Sequence, residues 1–223
     1  MNLLREVIDQ YINRSGFFLE AFIEHIELSA MAIILVTLIG VPIGIIMSRY
    51  PKIAPPILSF VNFLWTIPVI AFFGIMISVL GLSTLNALFA LLIYGLLPIV
   101  RNTYVGIMEV DKSIIEAGKG MGSTKWQLLF QIELPLALPV IIAGFRNMAV
   151  MTISFAAIAS FIGVGGLGKA IWRGISLNNL SMTIAGSILI AALAIAVDLS
   201  LGYIEKRVLL RVQGRTKGGI VNE

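Results

Sequence analysis

Two charged side chains lie deep in otherwise apolar runs, Arg146 and Asp198. A charge at membrane depth is costly, so it snorkels to the interface, finds a partner or faces a polar cavity. Each stands within about three turns of an expected helix end. Snorkelling and an Arg146–Asp198 pair tying two helices together are therefore both open. Other chemistry is scarce. There is no cysteine, hence no thiolate nucleophile, thiolate metal site or disulfide. The single histidine, His25, excludes a paired-histidine metal site within the chain. Neither Gly118-Lys119-Gly120 nor the glycine-rich stretch from Gly163 to Lys169 has the spacing of a G-x4-G-K-[ST] phosphate loop. No carboxylate pair has catalytic spacing. The chain is expected not to be an enzyme and to hold no metal or cofactor of its own.

The longest polar interruption, residues 113–139, is built stiffly. Ser113 and Glu116 have capping-box spacing, predicting a short helix to about Gly120. Gly122 can adopt positive φ and turn the chain. Thr124 and Gln127 can cap a second helix, which Pro135 and Pro139 bend into the next apolar run. The expected product is a short rigid helix across the chain at the membrane surface, fit to dock a soluble partner. An ordinary capped loop would use the same caps.

The elements around it are membrane-spanning. Hydrophobic residues make up 58% of the 223 and charged ones only 13%, and the mean hydropathy is +0.99. Apolar runs at residues 26–47, 57–80, 85–105, 136–162 and 181–201 reach about the 20 residues a helix needs to cross a bilayer. This predicts an all-α membrane protein of five spans in one domain, with a core over residues 22–207. The N-terminal residues 3–12 read as an amphipathic surface helix before a turn near Ser15-Gly16, not as a cleaved leader. The tail over residues 208–223 is polar, and its last residues are expected to be disordered.

Charge gives the orientation. Arg49, Lys52, Arg101, Lys112, Lys119, Lys125, Lys206, Arg207, Arg211, Arg215 and Lys217 fall on one side. Arg5, Arg14, Lys169 and Arg173 fall on the other. The richer side should be cytoplasmic, leaving the N-terminus outside and the C-terminus inside. The same clustering at helix ends argues against nucleic acid as the partner of a chain with net charge +4.

Pro42, Pro68 and Pro98 lie inside expected spans, and each leaves a carbonyl without its helical donor. Such kinks gate a path or pack statically. Trp65, Phe72, Phe73 and Tyr94 could line a path for a quaternary ammonium or simply pack. The loop carrying Gly163, Gly165, Gly166 and Gly168 suits an outer face meeting a delivered ligand or binding protein, or a tight re-entrant turn.

Glu116-Ala117-Gly118, Gly122, and Ile132-x-Leu134-Pro135 resemble, in register, the E-A-A-x3-G-x9-I-x-L-P signature of permease subunits of ATP-binding-cassette importers. Gly118 stands where the signature has a second alanine. Thr66-Ile67-Pro68, the stretch from Tyr94 to Tyr104, and the stretch from Phe161 to Gly168 extend the resemblance to importers of glycine betaine, carnitine and choline. It covers roughly residues 22–207. The resemblance implies that the segment at residues 113–127 is a coupling helix and that a second permease, identical or paralogous, pairs around a central path. It also implies two ATPase subunits binding ATP and Mg, and a separate external binding protein. Methionine-type importers share the signature. An ion-coupled secondary transporter would need mid-membrane carboxylates and inverted repeats, which the sequence lacks. A non-transporting scaffold would leave the capped segment unexplained.

Overall fold

The computed structural model describes residues 3–218. The expected disordered extremity, residues 219–223, lies outside them, while the tail before it is helical to Gly218. Helix α1 (Leu3–Asn13) is amphipathic; its Val7 is buried and its Tyr11 hydroxyl donates to the Ala185 carbonyl at 2.8 Å. The predicted turn at Ser15-Gly16 does not form. Only Arg14 leaves helical geometry, and its carbonyl already accepts from the Phe18 amide, so α2 (Ser15–Arg49) begins at once. This helix therefore starts before the expected residue 26. It accommodates the charges there because Glu24 finds partners across the fold and His25 bonds the Ile153 carbonyl at 3.1 Å.

The α2 helix packs on α5 (Thr84–Met108) through small residues. A Cβ on Gly95 would press on Val36, one on Gly40 on Ile99, and one on Gly44 on Thr103. The two sets of numbers rise together, so the helices run in the same direction. The chain between them must therefore return to the far side of the bundle. It does so through α3 (Ala54–Thr66) and α4 (Val69–Leu80), which meet at 95°. The continuous second span expected from hydropathy is thus corrected to a broken one. Pro68 is no kink within it: Ile67 and Pro68 are extended, with ψ 126° and 131°, because a residue before proline is pushed out of the α region. Among the described residues, four helices are long and apolar enough to cross a membrane, and the bent pair is the fifth crossing.

Helix α8 (Leu134–Ala159) runs antiparallel to α5, with Gly144 against Asn102 and Gly106 against Val140. A 3-10 turn, the glycine loop and the short α9 (Gly168–Ser176) lead to α10 (Leu180–Gly218), which returns antiparallel to α8. The termini consequently lie at opposite ends of the bundle. Thr103, His25, Val36 and Met148 are fully buried at these crossings. Close packing of small residues is what drives helix association where lipid is as apolar as leucine.

One polar network stabilises the broken span. Pro98 has no N–H to give the Tyr94 carbonyl four residues back. The Trp65 Nε1–H donates to that carbonyl instead, at 2.8 Å, and the Tyr94 hydroxyl donates to the Ile67 carbonyl at the break. Tyr94 also stacks edge-on with Phe72 and Phe155, at 5.7 and 5.6 Å. Trp65, Pro68, Tyr94 and Pro98 thus form one strut joining α3, α4 and α5.

Two outcomes follow from this packing. Gly44→Ala, whose new Cβ would stand 2.9 Å from the Val100 carbonyl oxygen, should lower stability by about 1–3 kcal/mol, read as an earlier thermal transition in detergent. Trp65→Phe should cost about 1–3 kcal/mol by leaving the Tyr94 carbonyl bare. Adding Pro98→Ala, which restores a helical N–H, should recover at least half of that loss; a strictly additive pair would remove the strut from the account.

Candidate functional site

The polar interruption folds as α6 (Lys112–Gly120), a turn, α7 (Lys125–Gln127) and a π-helical turn (Leu128–Glu133) that merges into α8. The second capping box is present: the Gln127 amide donates to Thr124 Oγ1 at 3.3 Å and the Thr124 amide to Gln127 Oε1 at 2.8 Å. The first is not. Asp111 is the N-cap of α6, and its carboxylate accepts from the Ser113 amide at 2.8 Å. Ser113 is therefore inside the helix and exposed, and Glu116 is released from capping to point outward. Sequence reasoning chose Ser113 because its spacing to Glu116 fits a box; the equally common Asp cap two residues earlier was the competing signal. The Ser113 amide holds the Asp111 carboxyl below the usual range. Its capping contribution is present above the unfolded-state value and is lost as pH falls through the lowered folded value.

Gly122 turns the chain with φ 83°. Gly118 is buried, and a Cβ there would stand 2.7 Å from Ile132 Cδ1 and 2.8 Å from Leu128 Cδ2. Gly118 and Ile132 thus hold α6 against the π-helical turn, while Leu134 and Ile115 pack on a cluster of Ile107, Val110, Ala137 and Ile141. Pro135 follows the π-helical turn without a break and has no N–H to give a carbonyl of that turn. The outward side carries Ser113, Glu116, Ala117 and Gly122 with Met121, Trp126 and Phe130. Met121 is 87% and Trp126 71% exposed, and the Trp126 and Phe130 rings stack at 5.8 Å. The result is an exposed apolar knob on a rigid base.

The segment is tied to the bundle by an ion pair with no local cue in the sequence. Glu133, 5% exposed, is gripped by both terminal nitrogens of Arg49, the last residue of α2; one of these bonds measures 3.2 Å. The partners are separated by 84 positions, so no local spacing rule could pair them.

Inside the bundle, Arg146 makes a two-pronged bond to Asp198, Nε to Oδ1 at 2.6 Å and Nη2 to Oδ2 at 2.7 Å, and a third bond to Glu205 at 3.1 Å. The structure thus places α8 against α10 through a paired charge, with Glu205 as an additional partner. Gly202 leaves the room: a Cβ there would sit 3.0 Å from the guanidinium. Of the residues expected along the path, Phe72, Phe73 and Tyr94 are buried packing residues, and Pro42 is exposed on α2. Trp65 borders an open cavity.

The glycine loop is also corrected. Gly166 and Gly168 are buried and cannot meet a partner; Gly163 is exposed and Gly165 half-buried. The loop is pinned, not slack. The Gly166 amide donates to Glu24 Oε2 at 2.8 Å, Lys169 Nζ reaches both Glu24 oxygens at 3.0 and 2.8 Å, and the Ser160 hydroxyl donates to the Gly165 carbonyl at 2.6 Å. The glycines serve positive φ at 163, 165 and 166 and close approach at Gly168, where a Cβ would lie 2.5 Å from Ser160 Oγ.

Residues 40–210 match the family described as binding-protein-dependent transport system inner membrane component. The carnitine transport permease protein OpuCD of Listeria monocytogenes is 41% identical over 207 residues, 92% of this chain and 93% of that one. The glycine betaine/carnitine/choline transport system permease protein OpuCD of Bacillus subtilis is 37% identical, covering 92% and 90%. The osmoprotectant import permease protein OsmW of Salmonella typhimurium is 41% identical over 198 residues, covering 86% and 92%. The MetNI methionine transporter in an inward-facing form superposes with a TM-score of 0.79 over 88% of this chain and 98% of that one, at 20% identity. An amino acid ABC transporter solved with histidines gives 0.75 over 93% and 99%, at 18% identity. The structural likeness carries the fold, and the sequence likeness favours the osmoprotectant branch over the methionine one. The chain belongs to the binding-protein-dependent inner membrane transport components, as a non-catalytic, multi-pass permease subunit.

Proposed function

We propose that the chain forms half of the translocation path of an ATP-driven importer for a quaternary-ammonium osmoprotectant such as glycine betaine, carnitine or choline. The observation that carries this reading is the exposed knob of Glu116, Met121, Trp126 and Phe130, mounted on a base that Arg49–Glu133 ties to a spanning helix. It stands at the end of the bundle where lysine and arginine concentrate, the end that faces cytoplasm by charge asymmetry. The N-terminus is then outside and the C-terminus inside. The identities to carnitine, betaine and choline permeases support the solute class.

In this reading two such permeases, identical or paralogous, enclose the path. Two cytoplasmic ATPase subunits bind ATP and Mg and receive the knobs. An external binding protein approaches the end bearing Gly163 and delivers the solute. Closure of the ATPases shifts α6, and the Arg49–Glu133 pair passes the shift to α2. Glu133 is buried and would be left without its partner if the two separated, so the pair moves as a unit.

The test is co-expression with the cognate ATPase and binding protein. Glu116→Lys and Met121→Asp should each abolish co-purification of the ATPase and cut betaine uptake at least tenfold, with membrane levels of the chain unchanged. Normal uptake in both would end the docking assignment. Arg49→Glu should retain the ATPase while losing uptake, and the swap Arg49→Glu with Glu133→Arg should restore part of it. Uptake by Arg49→Glu equal to wild type would remove the ion pair from the coupling route.

A further inference from the structure

A cavity of about 350 Å³ opens on the face formed by α3, α5, α8 and α10, with Trp65, Arg101, Asn102, Asn147, Met151 and Asp198 in its lining. Polar groups at this depth do not belong against lipid; they mark a partner or a solute path. Arg101 is exposed and has no hydrogen bond or ion pair among the described residues. Asn147, one residue from Arg146 on α8, is exposed too and has no partner among them.

The lining holds charges of both signs, Arg101 and Asp198. Arg146 satisfies Asp198 and Glu205 together, so one positive group faces two negative ones and a net negative charge remains. Each Asp198 oxygen takes a single bond from Arg146, and an ionised carboxylate offers about four acceptor sites in all. Asp198 therefore keeps capacity toward the cavity. Trp65 has spent its only donor on the Tyr94 carbonyl, so what its ring has left to offer is its π face. An aromatic face and a residual negative charge in one lining suit a cation that has no N–H to donate and is held by charge alone. Arg101, a planar donor fork in the same lining as the Asn102 amide, suits a carboxylate.

We propose that this cavity is a half-site for a zwitterion with a quaternary ammonium at one end and a carboxylate at the other. Trp65 and Asp198 receive the ammonium; Arg101 receives the carboxylate. Asn102 already donates to the Pro98 carbonyl at 2.7 Å, which fixes its amide at the rim. Specificity for the solute is then read a second time within the permease, after the binding protein. The inference rests on the importer reading above and adds the residues that hold the solute.

The chain has no cysteine, so a single introduced thiol can be followed without background in it. Asn147→Cys, in the full importer with its ATPase, binding protein and ATP in proteoliposomes, should react with the trimethylammonium methanethiosulfonate reagent. Saturating glycine betaine should slow that reaction at least fivefold. Adding Arg101→Gln should abolish the protection, and Arg101→Lys should keep most of it. No labelling, labelling that betaine does not slow, or protection that survives Arg101→Gln would each overturn the half-site. Met151→Cys, in the same lining, replaces Asn147→Cys if that variant fails to assemble. The two readings fail separately: a wild-type importer that accumulates no betaine refutes the solute assignment, whereas one that accumulates it without Arg101-dependent protection refutes only the half-site.

Discussion

The parallel contact between α2 and α5 constrains everything else. Glycines at 40, 44 and 95 let two spanning helices meet closely with their directions matched. Two parallel spans cannot be joined by a hairpin; the chain has to cross back between them. That requirement makes α3 and α4 a crossing even though neither is long enough alone, and it sets the sides on which the remaining elements emerge. The 95° break inside this crossing is tolerable because the polar groups it frees are answered from within the protein. Trp65 supplies the donor that Pro98 withholds, and Tyr94 caps the exposed carbonyl of Ile67.

The same rule of internal satisfaction explains where the charges sit. Glu24, Arg49, Glu133, Arg146, Lys169 and Asp198 all find partners on distant elements. These pairs connect α2 to the turn before α8, α8 to α10, and α2 to the glycine loop. Each joins helices that hydrophobic packing alone would leave free to slide, because leucine against lipid and leucine against leucine differ little. The ion pairs thus supply register to a bundle whose apolar contacts supply mainly cohesion.

Much of the architecture was legible in the sequence because membrane helices announce themselves by length and hydropathy. The ends of α5 and α8 and the start of α10 fall close to expectation, whereas α10 runs past the expected residue 201 to Gly218, and Gly122 and the Thr124–Gln127 box behave as their chemistry dictates. The errors share a cause. Hydropathy cannot see that Ile67-Pro68 breaks a span rather than kinking it, since both cases have the same apolar composition. Local spacing preferred Ser113 over Asp111 as a cap because a box uses two residues and a simple cap one. The bonds from Glu24 that pin the glycine loop could not be read from composition, which reports conformational freedom but not long-range partners. Arg49–Glu133 stayed invisible for the same reason, whereas Arg146 and Asp198 stood out because each interrupts an apolar run.

The length of α2 has a mechanical consequence. Its 35 residues make a rod roughly 50 Å long, more than the roughly 40–45 Å of a whole bilayer with its headgroups. Such a rod reaches water at both surfaces, with Arg49 at one end and Glu24 near the other. Pivoting it by about 5° around its midpoint carries each end about 2 Å, in opposite senses. A see-saw of this kind lets events on the two sides of the membrane be timed against each other without any signal passing through the solute path.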